Sequence, residues 1–244
     1  MTASNREASI SKTLTYEGGF TNDPRDPGGA TNWGITITDA RKYWKPDASP
    51  ADVKAMPKSV AVEIYRQKYW AKIDCDSRPV GPDFVDFDYS VNSGPGRVTK
   101  LRAKLDPKKL APAAYVRAAC AERSSFLHGL KTFSVFGNGW SKRVADVEAT
   151  GVRMAVGAAG KPVVPVLEKH AADHAKKAIA HSTAGATAGT AVPSLPHTLP
   201  SLLTHIPTWE LVALGYVALL VIGYFVWNAV QHGHRANAYM TATK

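Results

Sequence analysis

The sequence is short of cysteine, since Cys75 and Cys120 are the only two among 244 residues. Neither belongs to a CxxC motif or to a Cys/His cluster, so we expect no metal site and no cofactor. The sequence leaves open whether the two thiols form one disulfide or stay unpaired. An early apolar run is also missing. The first fourteen residues are polar and do not have the pattern of a signal peptide.

Aromatic side chains are missing from residues 157–208, where Ala, Gly, Pro, Thr and His dominate. Such a composition cannot build a core and predicts a flexible tether. Charge is uneven before it. Residues 1–96 carry 12 basic and 13 acidic side chains, whereas residues 97–160 carry 12 and 4. This basic segment favours an anionic polymer or surface as partner, but no recognition-helix or RNA-binding motif supports nucleic acid.

Charged side chains are nearly absent from residues 209–230, which carry only Glu210 at their edge. As a helix, this stretch is roughly 33 Å long, because each residue advances about 1.5 Å. Tryptophans stand near both ends, as is common at membrane interfaces. We therefore predict a single C-terminal transmembrane helix, followed by a polar tail over residues 231–244.

Apolar spacing predicts a mainly helical chain. A first helix over residues 5–17 ends at Gly18 and Gly19, which places Glu17 at its C-terminus. The turn-rich stretch that follows, and then Ile35 and Ile37, predict turns and a short β-hairpin. Further helices are predicted over residues 59–71, 83–92, 96–105, 111–129 and 137–156.

Two carboxylates in this first segment suit the cleavage of a glycosidic bond. That reaction needs one protonated carboxylic acid and usually a second, ionised carboxylate. Glu17 lies at the negative end of a helix, and nearby Phe20 or Trp33 could desolvate it, so it is the candidate acid. Asp26 lies in a turn rich in N–H groups, where it is expected to stay ionised.

The motif Tyr-Glu-Gly-Gly-Phe at residues 16–20, followed by Asp-Pro-Gly-Gly-Ala-Thr at 26–31 and Trp-Gly-Ile-Thr at 33–36, closely resembles the start of glycoside hydrolase family 108. Later pieces agree, at residues 64–65, 69–70, 87–88 and 91–94. Residues 136–144 are similar to the predicted peptidoglycan-binding domain that often follows. The resemblance implies an N-acetylmuramidase with a lysozyme-like α+β fold, of the endolysin type found in phages, prophages and gene transfer agents.

The resemblance also implies roles for single residues. Glu17 corresponds to the family's catalytic glutamate and would be the general acid. Asp26 and Thr31 follow the Glu, Asp, Thr order of phage-type lysozymes, where they help to place the attacking water. The alternatives are structural: Glu17 caps its neighbours, Asp26 forms an Asp-Pro-Gly turn, and the Thr31 hydroxyl holds the loop.

Four further residues are candidates for substrate binding: Asp88, Asn92, Trp33 and Tyr65. Asp88 and Asn92 are four apart on a predicted helix and would face one side, although structural hydrogen bonds would explain them equally. Tyr65 fits a core face as well as a sugar platform. Trp140, with Lys142 and Arg143, is a candidate for a wall-binding surface or for packing.

These patterns divide the chain into five parts: a catalytic domain (1–95), a basic helical peptidoglycan-binding-like module (96–156), a tether (157–208), a transmembrane helix (209–230) and a tail (231–244). Arg235 and Lys244 follow the span, which predicts a single-pass inner-membrane protein with its enzyme on the periplasmic side. A form released to the wall by a holin-like pore partner stays open.

The expected reaction is hydrolysis of the peptidoglycan strand between N-acetylmuramic acid and N-acetylglucosamine. One alternative is a lytic transglycosylase, which uses a single glutamate on a related fold and adds no water. Another is a non-catalytic, membrane-anchored lysis accessory that only binds peptidoglycan.

Overall fold

A computed structural model of the protein describes residues 3–23, 26, 28–190 and 208–244. The chain divides into two compact units, Met1–Lys161 and Pro162–Lys244. Both are built mainly from helices, and the described sheet has two strands.

The first unit contains eight α-helices and one β-hairpin among its described residues. In chain order they are α1 (Ala3–Leu14), β1 (Thr31–Asn32), β2 (Ile35–Thr36), α2 (Ile37–Tyr43), α3 (Pro50–Lys54), α4 (Lys58–Tyr65), α5 (Pro82–Ser93), α6 (Pro95–Leu105), α7 (Pro112–His128) and α8 (Phe133–Ala158). A π-helical turn, Arg66–Trp70, extends α4, and short 3₁₀ turns lie at Ala71–Ile73, Cys75–Ser77 and Asp106–Lys108.

The hairpin forms because its two turn residues adopt positive φ. Trp33 has φ 53° and Gly34 has φ 71°, as a tight two-residue turn between antiparallel strands requires. Asn32 then pairs with Ile35, and Thr31 pairs with Thr36. A further antiparallel bridge joins Thr21 to Thr31 and ties the preceding loop to the hairpin. The predicted mainly helical chain with a short hairpin is confirmed here.

Helix α5 is the centre of the core. All nine residues from 82 to 90 are buried, and α1, α6, α7 and α8 contact this helix. Its aromatic rings pack against the end of the α4 region, where Phe87 lies 5.4 Å from Trp70 between ring centroids. Burying one such apolar side chain contributes about 1.5–3 kcal/mol. The same helix buries Asp83, Asp86 and Asp88, and these carboxylates need partners.

The helix boundaries differ from prediction at the first helix, at α4, which gives way to a π-helical turn after Tyr65, and at α8, which begins four residues earlier than predicted, at Phe133. Helices α2 and α3 lie outside the predicted helices. Helix α1 ends at Leu14, and the chain continues through residues 15–17 in i→i+3 turns. Glu17 therefore lies one turn past the helix end. Cys75 and Cys120 are both buried and form no disulfide.

The second unit pairs two long helices, α9 (Val163–Thr190) and α10 (Thr208–Thr241). Leu167 and Ala171 of α9 are buried, as are Gln231 and Tyr239 of α10. His174 Nδ1 lies 2.9 Å from His232 Nδ1 across this pair. Residues 191–207 of the predicted tether lie outside the described residues.

The prediction of a transmembrane helix over residues 209–230 is wrong. Within the part of the chain that the structure describes, no helix has the length and apolar character needed to cross a bilayer. Helix α10 instead runs on through polar residues to Thr241 and packs along α9. The prediction failed because the hydropathy of a segment does not include the helix that packs against it. The side chains of residues 208–216 and 218 lie outside the described residues.

The predicted localisation depended on that helix and is wrong with it. A single-pass inner-membrane protein, held through residues 209–230 with its enzyme on the periplasmic side, has no support in the described helices.

Candidate active site

The carboxyl group of Glu17 lies just beyond α1, where the chain leaves the helix through two glycines. The Glu17 N–H donates to the Leu14 carbonyl at 3.4 Å, which completes the last turn. A Cβ added at Gly18 or Gly19 would meet nothing within 4 Å, so open space borders the backbone that directly follows the acid. The Glu17 side chain is 20% exposed, and its carboxyl group is therefore half-buried yet accessible.

The β-hairpin turn borders the same carboxyl group. A Cβ added at Gly34 would lie 2.9 Å from Glu17 Oε2 and 2.5 Å from the Tyr65 hydroxyl oxygen. A side chain at this position would therefore collide with the acid. The Tyr65 hydroxyl donates to the Trp33 carbonyl at 3.0 Å, which fixes the turn beside Glu17. Burial, and next the nearby Glu17 charge, raise the pKa of Tyr65, so its hydroxyl stays protonated.

Helix α8 supplies a cation to the other carboxyl oxygen. Arg143 Nη2 lies 3.1 Å from Glu17 Oε1. The same guanidinium is closer to Asp88, with Nη2 2.9 Å from Oδ1 and Nε 3.4 Å from Oδ2. Arg143 thus contacts Asp88 at two points and Glu17 at one.

Asp88 is the buried anchor of this cluster. Its side chain is fully buried and also accepts from Arg123 Nη1 at 2.6 Å and from the Thr13 hydroxyl at 3.2 Å. Burial alone raises the pKa of Asp88, but the guanidinium groups of Arg123 and Arg143 outweigh it and hold the pKa below its usual value. Two carboxylates and two arginines form a cluster with no net charge when Glu17 is ionised.

A second link joins α8 to the segment that carries Glu17. The Tyr16 hydroxyl donates to Asp146 Oδ2 at 2.7 Å, and Lys12 Nζ lies 2.7 Å from the same oxygen. The Arg143 guanidinium lies over the Tyr16 ring, 4.8 Å from its centroid. These contacts join the residues just before Glu17 to α8.

Asp26 and Thr31 lie in the loop before the hairpin. Asp26 is exposed, and its Oδ1 accepts from the Gly28 N–H at 2.8 Å. The Thr31 hydroxyl donates to the Gly29 carbonyl at 3.1 Å. Both side chains therefore have structural contacts within the loop.

The four predicted substrate-binding residues have different surroundings. Asp88 is fully buried, and Tyr65 is 1% exposed and packs beside Phe87. Trp33 is half-buried, with its Nε1 3.4 Å from the Met56 carbonyl. Asn92 is also half-buried and accepts from the Ser93 hydroxyl at 3.1 Å.

The predicted sites left out two residues that hold Glu17 and its segment, Arg143 and Asp146. The sequence pattern makes Arg143 a candidate for a wall-binding surface and gives no role to Asp146. The sequence carries one signal that Asp88 needs a cation such as Arg143. The apolar context of Asp88, between Phe87 and Tyr89, indicates a buried carboxylate that must find a cation. Sequence offered no means of choosing Arg143 as that cation.

No group of three or more His, Cys, Asp or Glu side chains able to hold a metal ion occurs among the residues that the structure describes. Two surface cavities, of about 330 and 160 Å³, open beside Tyr115 and Phe126, and Glu17 lines neither.

Comparison with known proteins places this arrangement in a family. The glycosyl hydrolase 108 model matches residues 10–94, which include Glu17, the hairpin and Asp88. The solved structure of SagA from Brucella abortus is 33% identical, with a TM-score of 0.55, over 62% of this chain and 96% of that chain. No curated protein matches the chain. The chain therefore belongs to the glycosyl hydrolase 108 family and is a glycosidase that hydrolyses peptidoglycan.

Proposed function

We propose that the protein is an N-acetylmuramidase that cuts between N-acetylmuramic acid and N-acetylglucosamine, with Glu17 as the general acid. One observation carries the proposal. Glu17 is the carboxylic acid that lies between the hairpin turn and α8, and the two glycines that follow it have open space around their backbone. A glycosidic oxygen must approach such an acid within hydrogen-bonding distance.

The ion pair with Arg143 bears directly on this role, because a general acid must carry a proton when it acts. A nearby cation favours the ionised carboxylate. Arg143, however, also has a two-point contact with Asp88 and does not lose its only partner when Glu17 is protonated. Arg143 therefore keeps a carboxylate partner while Glu17 serves as the acid.

Asp26 is proposed to position or activate the attacking water, with Thr31 beside it. Its exposed carboxylate and its place before the hairpin support this role. The hydrogen bond to the Gly28 N–H equally suits a turn former. That contact favours a second candidate, a lytic transglycosylase, since such an enzyme needs no residue to activate water.

The basic segment is proposed to bind the wall. Residues 96–156 belong to the same compact unit as the family domain, and they contribute Arg143 beside the acid. A basic surface next to the acid favours a polymer that carries carboxylates, as peptide-substituted glycan strands do. In this view the module does more than tether the enzyme to its substrate.

The test of the acid is Glu17→Gln in the full chain, assayed on purified peptidoglycan. We expect a loss of about 10²–10⁴-fold in turnover, the usual contribution of general acid catalysis. Glu7→Gln is the matched control, because Glu7 lies on α1 with its side chain 64% exposed. An unchanged rate in the Glu17 variant would remove the proposed chemistry and leave a binding protein.

Asp26→Asn and mass analysis of the products separate the two enzymes. A muramidase yields reducing ends that carry the added water, and the Asn variant should slow their release. A transglycosylase yields anhydro ends, with little effect of the substitution. Anhydro products from the parent protein would assign the second candidate.

A further inference from the structure

The first turns of helix α8 precede Arg143, the residue of this helix that contacts Glu17. Lys12 contacts Asp146, whereas Glu17, further along the chain, contacts Arg143. The two segments therefore run in opposite directions. The direction that runs from Lys12 to Glu17 therefore continues toward the turn of α8 that precedes Arg143.

In this turn, Gly139 lies on the face of α8 that also carries Arg143. Gly139, Arg143 and Asp146 are spaced i, i+4 and i+7, so they share one face of α8. Gly139 lies about 6 Å along the helix axis from Arg143. A Cβ at Gly139 would meet nothing within 4 Å, and the same holds for Gly18 and Gly19 after the acid. Open space therefore borders the backbone at Gly139 of α8 and also at the two glycines that follow Glu17.

Among the residues that the structure describes, no contact accounts for the glycine. A glycine in a helix interior costs about 1 kcal/mol relative to alanine. At Gly137 the structure supplies a reason, since an added Cβ would lie 2.7 Å from the Phe133 ring. At Gly139 an alanine would fit, and it would stabilise the helix. A ligand that approaches the backbone closely would explain a glycine at this position.

Aromatic rings flank this bare position. Phe136 is 54% exposed, and its ring lies 5.7 Å from the half-buried Trp140 ring, at 33° between planes. The Phe133 ring supports Trp140 at 6.3 Å. Phe136, Trp140 and Arg143 are again spaced i, i+4 and i+7, so the rings continue the face that reaches Glu17. Ligand sites favour such aromatic walls, and flat pyranose faces stack on them.

We infer that Gly139, Phe136 and Trp140 form a glycan subsite next to Glu17, in which one sugar ring of the wall strand lies over the backbone of Gly139 and against the two aromatic rings. This inference deepens the proposed function and depends on it. The occupant is a neutral pyranose ring of the strand being cut, and a protein partner is the competing outcome.

The test measures affinity and turnover in the full chain. Binding to purified, insoluble peptidoglycan is measured in a Glu17→Gln background, and hydrolysis is measured with Glu17 intact. Phe136→Ala should weaken binding about fivefold to tenfold and raise KM with kcat little changed. Phe136→Tyr should restore both. Val135→Ala is the control, since Val135 is 72% exposed and lies next to Phe136 on a different helix face.

Gly139→Ala gives the more discriminating result. It should raise the melting temperature, because alanine favours the helix, and also weaken binding, because its methyl group fills the space of the sugar. A merely structural glycine would change stability without changing affinity.

The outcomes separate this inference from the proposed function. If the parent protein hydrolyses the wall but Phe136→Ala and Gly139→Ala bind it as tightly as the parent, the subsite is wrong and the enzyme stands. If the parent binds peptidoglycan and loses affinity in these variants but never cuts it, the surface stands and the proposed reaction fails. If the parent protein neither binds nor cuts peptidoglycan, the subsite and the proposed function both fail, and a protein partner becomes the explanation for the exposed rings.

Discussion

Replacing Asp88 with asparagine tests the cluster that holds the candidate acid. The substitution keeps the shape of the side chain but removes its charge. Arg123, whose side chain is 1% exposed, then loses the carboxylate it contacts at 2.6 Å, and Arg143 loses its two-point partner. Leaving a buried charge without its partner costs about 3–5 kcal/mol. For a unit of this size that loss lowers the melting temperature by about 6–20 °C.

The stability difference between the parent and Asp88→Asn should depend on pH in a definite direction. The folded pKa of Asp88 is lowered, so its stabilisation is present above the unfolded value of about 3.9 and disappears as pH falls through the folded pKa. The parent should therefore exceed Asp88→Asn in stability at pH 7 and pH 5. The difference should shrink below about pH 4, where the unfolded parent begins to take up a proton on Asp88, and should vanish below the folded pKa, where the folded carboxyl group is neutral too.

Hydrogen exchange of peptides from α5, followed through a urea titration at each pH, reports this difference for the first unit alone. Asp106→Asn is the matched control. Asp106 also lies 2.9 Å from an arginine, Arg78, but its side chain is 43% exposed, so its loss should cost less than about 1 kcal/mol. Equal effects of the two variants, or a loss at Asp88 that does not change with pH, would refute the charge argument.

Three further outcomes follow from the site. Gly34→Ala should abolish most wall hydrolysis, because its methyl group would lie 2.9 Å from Glu17 Oε2 at a φ of +71°; retained turnover would contradict the packing. Arg143→Met should slow wall hydrolysis, because Glu17 loses the contact at 3.1 Å that holds its carboxyl group in place, whereas Arg153→Met, at an exposed site on α8, should not. The thiol of Cys75, whose pKa burial raises, should react with iodoacetamide only as fast as the unit unfolds, measured by mass spectrometry.

The site was predictable where the signal is local. Two glycines after a helical pattern put the end of the first helix at Glu17, three residues beyond its end at Leu14, and the turn-rich stretch before Ile35 predicted the short hairpin. The predicted helix limits agree with α5, α6 and α7 to within one residue at each end. Local rules suffice here because backbone conformation depends mainly on neighbouring residues.

The parts that failed depend on distant contacts. Arg143 is 126 residues from Glu17 and 55 from Asp88, and charge patterns do not say which cation reaches a buried carboxylate. The prediction of a membrane span from the apolar run in α10 fails for a related reason. The hydropathy of this run could not show that the helix continues to Thr241 and packs on α9.

These long-range contacts also bear on where the enzyme ends. The family model stops at residue 94, yet Arg123, Arg143 and Asp146 all lie beyond it, and each contacts a residue on or beside α1 or α5. Without them Asp88 would be a buried charge with no cation, and the Glu17 segment would lose its contacts with α8. A boundary drawn at residue 95 would therefore separate the acid from the groups that hold it. The smallest structure that explains the position of Glu17 is the whole unit Met1–Lys161.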